Sequence, residues 1–211
     1  MLFAMVALSS ALVAKADTFQ IDQTGGTLPS QNYGTLTLTL VGGNIQVTVS
    51  LNSGNFLIKT GQDASVAFNS SLSPDPQISV SGLAAGYSLL NSGNPAAAPG
   101  LHMDGTGFFE YGITSTFGQN DSGKVSTLTF TVSKTGGGSF SSIFDLMSAN
   151  ANGFTWGFDI FCQSCSNGQG ATGFVGVGTN THPEVPEPAS MVLLGTGLLG
   201  VATAFRKRLR R

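Results

Sequence analysis

Basic residues are nearly absent from the body of this chain. Between Asp17 and Glu187 stand only Lys59, Lys124 and Lys134, whereas all eleven acidic residues fall in that stretch, giving it a net charge of −8. Such a surface repels phosphate backbones, which excludes nucleic acid as a partner. There are only two cysteines and two histidines, and no second CxxC that would complete a zinc cage. No stretch repeats at a fixed period, which argues against a solenoid or propeller. What is plentiful is Gly, Ser, Thr and Asn, together with 15 Phe and many Leu and Val. Gly and Asn supply turns, Thr and Val suit pleated sheet, and the apolar residues suffice for a core. That is the composition of an all-β secreted domain and not of a disordered tail.

Both ends read as targeting segments. Leu2–Val13 is an apolar run of signal-peptide length, although no basic residue precedes it. Ala14-Lys15-Ala16 follows with the small-x-small pattern of a leader cleavage site. Residues 1–16 are therefore expected to pass the Sec translocon and be cut by signal peptidase after Ala16. At the other end, Val185, Pro186, Glu187 and Pro188 precede an uncharged segment, 189–205, and then the basic cluster Arg206, Lys207, Arg208, Arg210 and Arg211. At 1.5 Å per residue the segment spans about 25 Å, near the lower limit for a bilayer. The cluster would stay cytoplasmic and leave the acidic domain outside. The two prolines bracketing Glu187 keep residues 185–188 extended, because each lacks an N–H and restricts its predecessor.

This order of motif, span and basic tail resembles the PEP-CTERM sorting signal of Gram-negative bacteria that make exopolysaccharide. The resemblance covers about the last 27 residues. It implies recognition of Pro186-Glu187-Pro188 by exosortase, an integral-membrane cysteine transpeptidase, and removal of the helix. The expected organisation is a signal peptide (1–16), an ectodomain (17–180), a stalk (181–188), a transmembrane helix (189–205) and a cytoplasmic tail (206–211). The expected location is the inner membrane, transiently and with the ectodomain periplasmic, then the outer envelope or extracellular space.

The middle is punctuated by turns. Tyr33–Leu40 and Ile45–Leu51 alternate strictly around Gly42-Gly43-Asn44, a hairpin with one apolar face. Lys124–Val132 repeats the pattern. Further strands are expected at Phe56–Lys59, Ser65–Phe68, Gln77–Val80, Gly107–Ile113, Gly153–Phe161 and Gly173–Val177, with a short helix at Ser142–Ala149 and a loop at Asn91–Gly100. About ten short strands at this spacing indicate an antiparallel β-sandwich or jelly-roll-like ectodomain. Phe158-Asp159-Ile160 with Gly173–Val177 is similar to the closing part of many small PEP-CTERM ectodomains.

Chemistry is sparse. Cys162 and Cys165 follow a strand and enter a Ser/Asn/Gly loop, which suits a local disulfide in an oxidising compartment better than a redox pair on a helix. His102 lies near Asp104 and Glu110, but no GxSxG elbow accompanies it. Asp63, Asp75, Asp104 and Asp121 sit in expected turns, where Asp bonds its own backbone, and no calcium-loop pattern surrounds them. Thr35, Thr37 and Thr39, with Thr127, Thr129 and Thr131, read as the solvated sides of half-buried strands. A hydroxyl array of the kind that binds ice would need stacked neighbours that no repeat supplies. Alternation puts Phe154, Trp156 and Phe158 on one face; core burial is the default, with Trp156 as the candidate sugar-stacking face. The reading is a non-enzymatic structural or adhesive envelope protein without metal or cofactor. Exosortase is its processing partner and exopolysaccharide a candidate ligand; the alternatives are a carbohydrate-binding module and a secreted hydrolase.

Overall fold

The computed structural model describes residues 15–61, 63–165 and 168–179. The leader up to Ala14, the stalk, the span 189–205 and the basic tail lie outside them. Fourteen strands run through the described residues. The first seven are β1 (Lys15–Gln20), β2 (Gln23–Thr24), β3 (Gly34–Val41), β4 (Asn44–Leu51), β5 (Asn55–Leu57), β6 (Val66–Phe68) and β7 (Ile78–Ser81). The others are β8 (Tyr87–Leu89), β9 (Leu101–Met103), β10 (Gly107–Phe109), β11 (Tyr111–Ser115), β12 (Thr127–Lys134), β13 (Phe154–Cys162) and β14 (Ala171–Gly178).

Two antiparallel sheets share one core, a β-sandwich-like arrangement. One sheet has the order β1-β3-β4-β12-β7; the larger has the order β2-β14-β13-β6-β11-β8, with β5 also on β13. The β3–β4 hairpin forms as its alternation dictates: Leu36 pairs with Val49, Leu38 with Val47 and Leu40 with Ile45. Gly42 and Gly43 turn it with φ of 57° and 80°, the left-handed pair that a two-residue hairpin requires. Leu36, Leu38, Ile45, Val47 and Val49 are buried against Trp156, Phe158, Ile160, Val175 and Val177 of the larger sheet. The Trp156 ring stacks on Phe68 at 4.4 Å.

Several boundaries differ from the sequence reading. The expected strand Gly107–Ile113 breaks at Glu110, because β10 pairs with β9 while β11 pairs with β6 and β8. The helix expected at Ser142–Ala149 is a single 3-10 turn, Ile143–Leu146, closed by a Ser142/Asp145 capping box. Phe154 does not share a face with Trp156. A bulge between them shifts the register, and in a period-two strand one extra residue flips the side chain to the other face. Among the described residues no helix is long and apolar enough to cross a membrane.

β1 begins at Lys15, with Lys15 and Ala16 opposite Leu40 and Thr39. Cleavage after Ala16 would leave the strand as Asp17–Gln20, which keeps its pairs with Leu38, Thr37, Leu36 and Thr35.

Candidate functional site: the covered face of the larger sheet

Trp156 is fully buried, and its indole N–H donates to Leu146 O at 2.8 Å. Burial with a satisfied polar end takes this ring away from any sugar, which corrects the reading of Trp156 as a ligand face. Cys162 and Cys165 are joined in a disulfide at the far end of the same strand. The Gln31 amide donates toward Cys165 Sγ at 3.7 Å, so the bond holds the β13–β14 loop beside the segment before β3.

The outward side of β13 is buried as well. A second apolar cluster of Ala64, Ala67, Met103, Phe109, Phe154 and Phe174 packs there, beneath the β9–β10 hairpin. Gly157 admits this layer: a Cβ built on it would meet the Phe109 ring at 2.9 Å. Asp159 lies on the same side and is completely buried. Thr60 donates to it twice, through its backbone N–H at 2.6 Å and its hydroxyl at 2.8 Å. Burial dominates over these two donors and, with the nearby Asp104 carboxylate, pushes the Asp159 pKa up to about 7. The sequence reading passed over Asp159 because a lone Asp inside an apolar strand resembles any solvated strand position.

The hairpin gathers several of the expected turn residues. The His102 backbone N–H donates to Asp63 Oδ2 at 2.9 Å, and His102 Nδ1 lies 3.9 Å from Asp104 Oδ1. Asp121 accepts the Gly118 N–H at 2.6 Å, which is the local bonding expected of Asp in a turn. Among the described residues no group of three His, Cys, Asp or Glu could hold a metal ion.

Beside the hairpin opens a cleft of about 470 Å³. Its lining includes Glu110, Asp75, Phe108, Pro99 and Asn69. Glu110 is held on three sides: Asn69 accepts its N–H at 3.0 Å, Ala96 N–H donates to its carbonyl at 2.8 Å, and Ser70 N–H donates to Oε2 at 2.7 Å. Burial raises its pKa against the Ser70 bond, and the Asp75 charge raises it further. Phe108 is 44% exposed and leans on His102, ring centroids 4.8 Å apart. The sequence reading placed Asp75 in a turn and Glu110 near His102, but not together; nothing local signals a contact between positions so far apart.

On the smaller sheet the threonines find the neighbours that a repeat does not supply. Thr18, Thr37, Thr48 and Thr129 stand in one row across β1, β3, β4 and β12. Their hydroxyls bond pairwise, Thr18 to Thr37 at 3.0 Å and Thr48 to Thr129 at 3.2 Å. Antiparallel register, not periodicity in sequence, builds the array.

Residues 184–210 match the family model of the PEP-CTERM protein-sorting motif. The chain carries a PEP-CTERM motif. It takes in Val185, Pro186, Glu187 and Pro188, the apolar segment and most of the basic cluster, and residues 180–183 separate it from Thr179, the last described residue. A PEP-CTERM motif points to exosortase-dependent sorting of an exported protein. No curated protein and no solved structure matches the chain.

Proposed function

We propose that this is an exported cell-envelope protein. Its C-terminal segment anchors it in the inner membrane until exosortase cuts near Pro186-Glu187-Pro188, and its β-sandwich then serves a structural or adhesive role outside. The observation that carries the reading is the PEP-CTERM match over 184–210, in which motif, apolar span and cationic end follow in the order that anchoring needs. The basic cluster holds the tail on the cytoplasmic side. The Cys162–Cys165 disulfide suits an oxidising compartment, and the acidic domain suits a surface that stays in solution and repels polyanions.

Reporter fusions test it. Alkaline phosphatase joined after Arg211 should be inactive, and the same enzyme inserted at residues 180–183 should be active. Activity of the Arg211 fusion would place the basic cluster outside and overturn the anchoring. A Pro186→Ala/Glu187→Ala double variant should accumulate uncut in the membrane fraction; normal maturation of that variant would contradict the role given to the motif.

A further inference from the structure

The chain leaves the sandwich at one identifiable end. β14 runs antiparallel to β13 with Gly178 opposite Phe154, and the Thr179 N–H donates to Gly153 O at 3.2 Å. Thr179, the last described residue, therefore sits where β13 begins. The 3-10 turn Ile143–Leu146 closes the same end. β6 pairs Phe68 with Trp156, so the chain after it runs on toward the start of β13. There Ser71 bonds the turn twice, its N–H donating to Asp145 O and its hydroxyl to Phe144 O, each at 3.0 Å. The smaller sheet brings its β3–β4 turn to this end, since the Phe140 N–H donates to Gly43 O at 2.8 Å.

Three large apolar side chains are exposed among the described residues: Val41 at 51%, and Phe108 and Phe144 at 44% each. Single exposed apolar residues scattered over a surface carry no message. These are not scattered. Val41 adjoins the Gly42-Gly43 turn, Phe144 lies in the 3-10 turn, and Phe108 borders residues 148–151 on the flank of the same end. The opposite end, marked by the Cys162–Cys165 disulfide, presents a cation. Lys124 Nζ lies there over Phe56 and Phe161, 5.3 and 5.6 Å from the ring centroids.

The length of the stalk decides which end meets the membrane. The nine residues 180–188 reach roughly 30 Å at full extension. β14 has eight residues and is about 27 Å long, and a headgroup layer adds roughly 5–8 Å. On such a tether the disulfide end cannot be turned to the bilayer, whereas the exit end is always within touching range. Tethering also makes the contact intramolecular, so a few apolar side chains suffice for it.

We propose that the exit end is a membrane-docking surface: in the anchored, uncut protein Val41 and Phe144 seat among the lipid headgroups around the span, with Phe108 at the rim. The proposal rests on the anchoring given above and adds the surface that meets the lipid. Charge does not draw this end to an anionic surface. Lys134 lies over Phe140 near the hairpin turn, but Asp75 and Glu110 line the cleft beside Phe108. The contact is apolar and forms on uncharged lipid. Two or three side chains hold a free domain only marginally, so removal of the span releases it.

The test uses the full, uncut chain in phosphatidylcholine vesicles, with the photo-crosslinker p-benzoylphenylalanine in place of Val41, Phe144 or Gln163. Gln163 is an exposed residue of the disulfide end. Lipid adducts, read by mass spectrometry, should form at positions 41 and 144 at least about fivefold more often than at 163, as expected of a tethered interfacial contact. Val41→Asp should lower the yield at position 144 at least about threefold, because a carboxylate resists leaving water. An unchanged circular dichroism spectrum would show that this variant is folded. A chain that fails to float with the vesicles would overturn the anchoring and the docking together. A chain that floats yet gives equal adducts at 41, 144 and 163, or whose yield at 144 ignores Val41→Asp, would overturn the docking alone. Adducts to a second copy of the chain in place of lipid would also overturn it, making this end an interface between copies.

Discussion

On the smaller sheet the outward face is a solvated field of hydroxyls, whereas the larger sheet carries a second buried layer on its outward face. β3 reads as alternately buried and part-exposed from Gly34 to Leu38, while β13 is buried at every position from Phe154 to Ile160. The difference follows from what lies above each sheet. Nothing among the described residues covers the Thr18–Thr37–Thr48–Thr129 row, while the β9–β10 hairpin and its neighbours cover Gly157 and Asp159. A face left to water can vary; a face under a second layer must solve both packing and charge.

The largest expected effect is on the doubly buried strand. Trp156→Ala removes a fully buried ring stacked on Phe68 and leaves Leu146 O without its donor. The cost should be about 3–5 kcal/mol, read by urea unfolding. A loss under about 1 kcal/mol would mean that this strand is not the centre of the core.

Asp159 comes next. Its folded-state pKa lies above the ordinary carboxylate value, so the folded protein binds the extra proton between the two. Stability from this group is therefore present at low pH and is lost as pH rises toward 7. The wild-type chain should lose on the order of a few kcal/mol between about pH 4 and 7. Glu110, also raised, adds to the slope in the same direction. Asp159→Asn should flatten that profile, since it keeps an acceptor for Thr60 and cannot ionise. An unchanged slope in the variant would show that another group sets it.

The β3–β4 hairpin was legible because its two environments differ at every second residue, and Gly42-Gly43 marks the turn. The strand expected at Lys124–Val132 starts later, at Thr127, since Lys124 is drawn onto Phe56 and Phe161 and Val125 bridges Leu57. β13 was legible as a strand but not in its facing. Continuous burial erases the alternation, and the Phe154/Trp156 bulge inverts what remains. β1, β2, β8 and β9 went unread because the first overlaps the leader pattern and the others are only two or three residues long, below the length at which alternation can be seen. The cleft was invisible, because Asp75 and Glu110 meet only after β11 has paired with β6. The sorting end was the clearest of all, being a linear signal that needs no tertiary contact.

Smaller effects should follow at the periphery. A Cys162→Ser/Cys165→Ser double variant opens a loop of only a few residues, so loop-closure entropy puts its cost at about 2 kcal/mol in thermal unfolding. Thr37→Val, on the solvated row, should change stability by less than about 0.5 kcal/mol although it breaks the bond to Thr18. A larger loss at Thr37 than at the disulfide would show that the hydroxyl face is covered in the working protein and would erase the contrast between the sheets.

Intact-mass measurement of the protein from its native host, with and without exosortase, tests the central claim most directly. Wild-type cells should yield a chain that begins at Asp17 and lacks Met191–Arg211, and cells without the enzyme should keep that segment. Recovery of the basic end, Arg206 to Arg211, on the protein from wild-type cells would contradict the account.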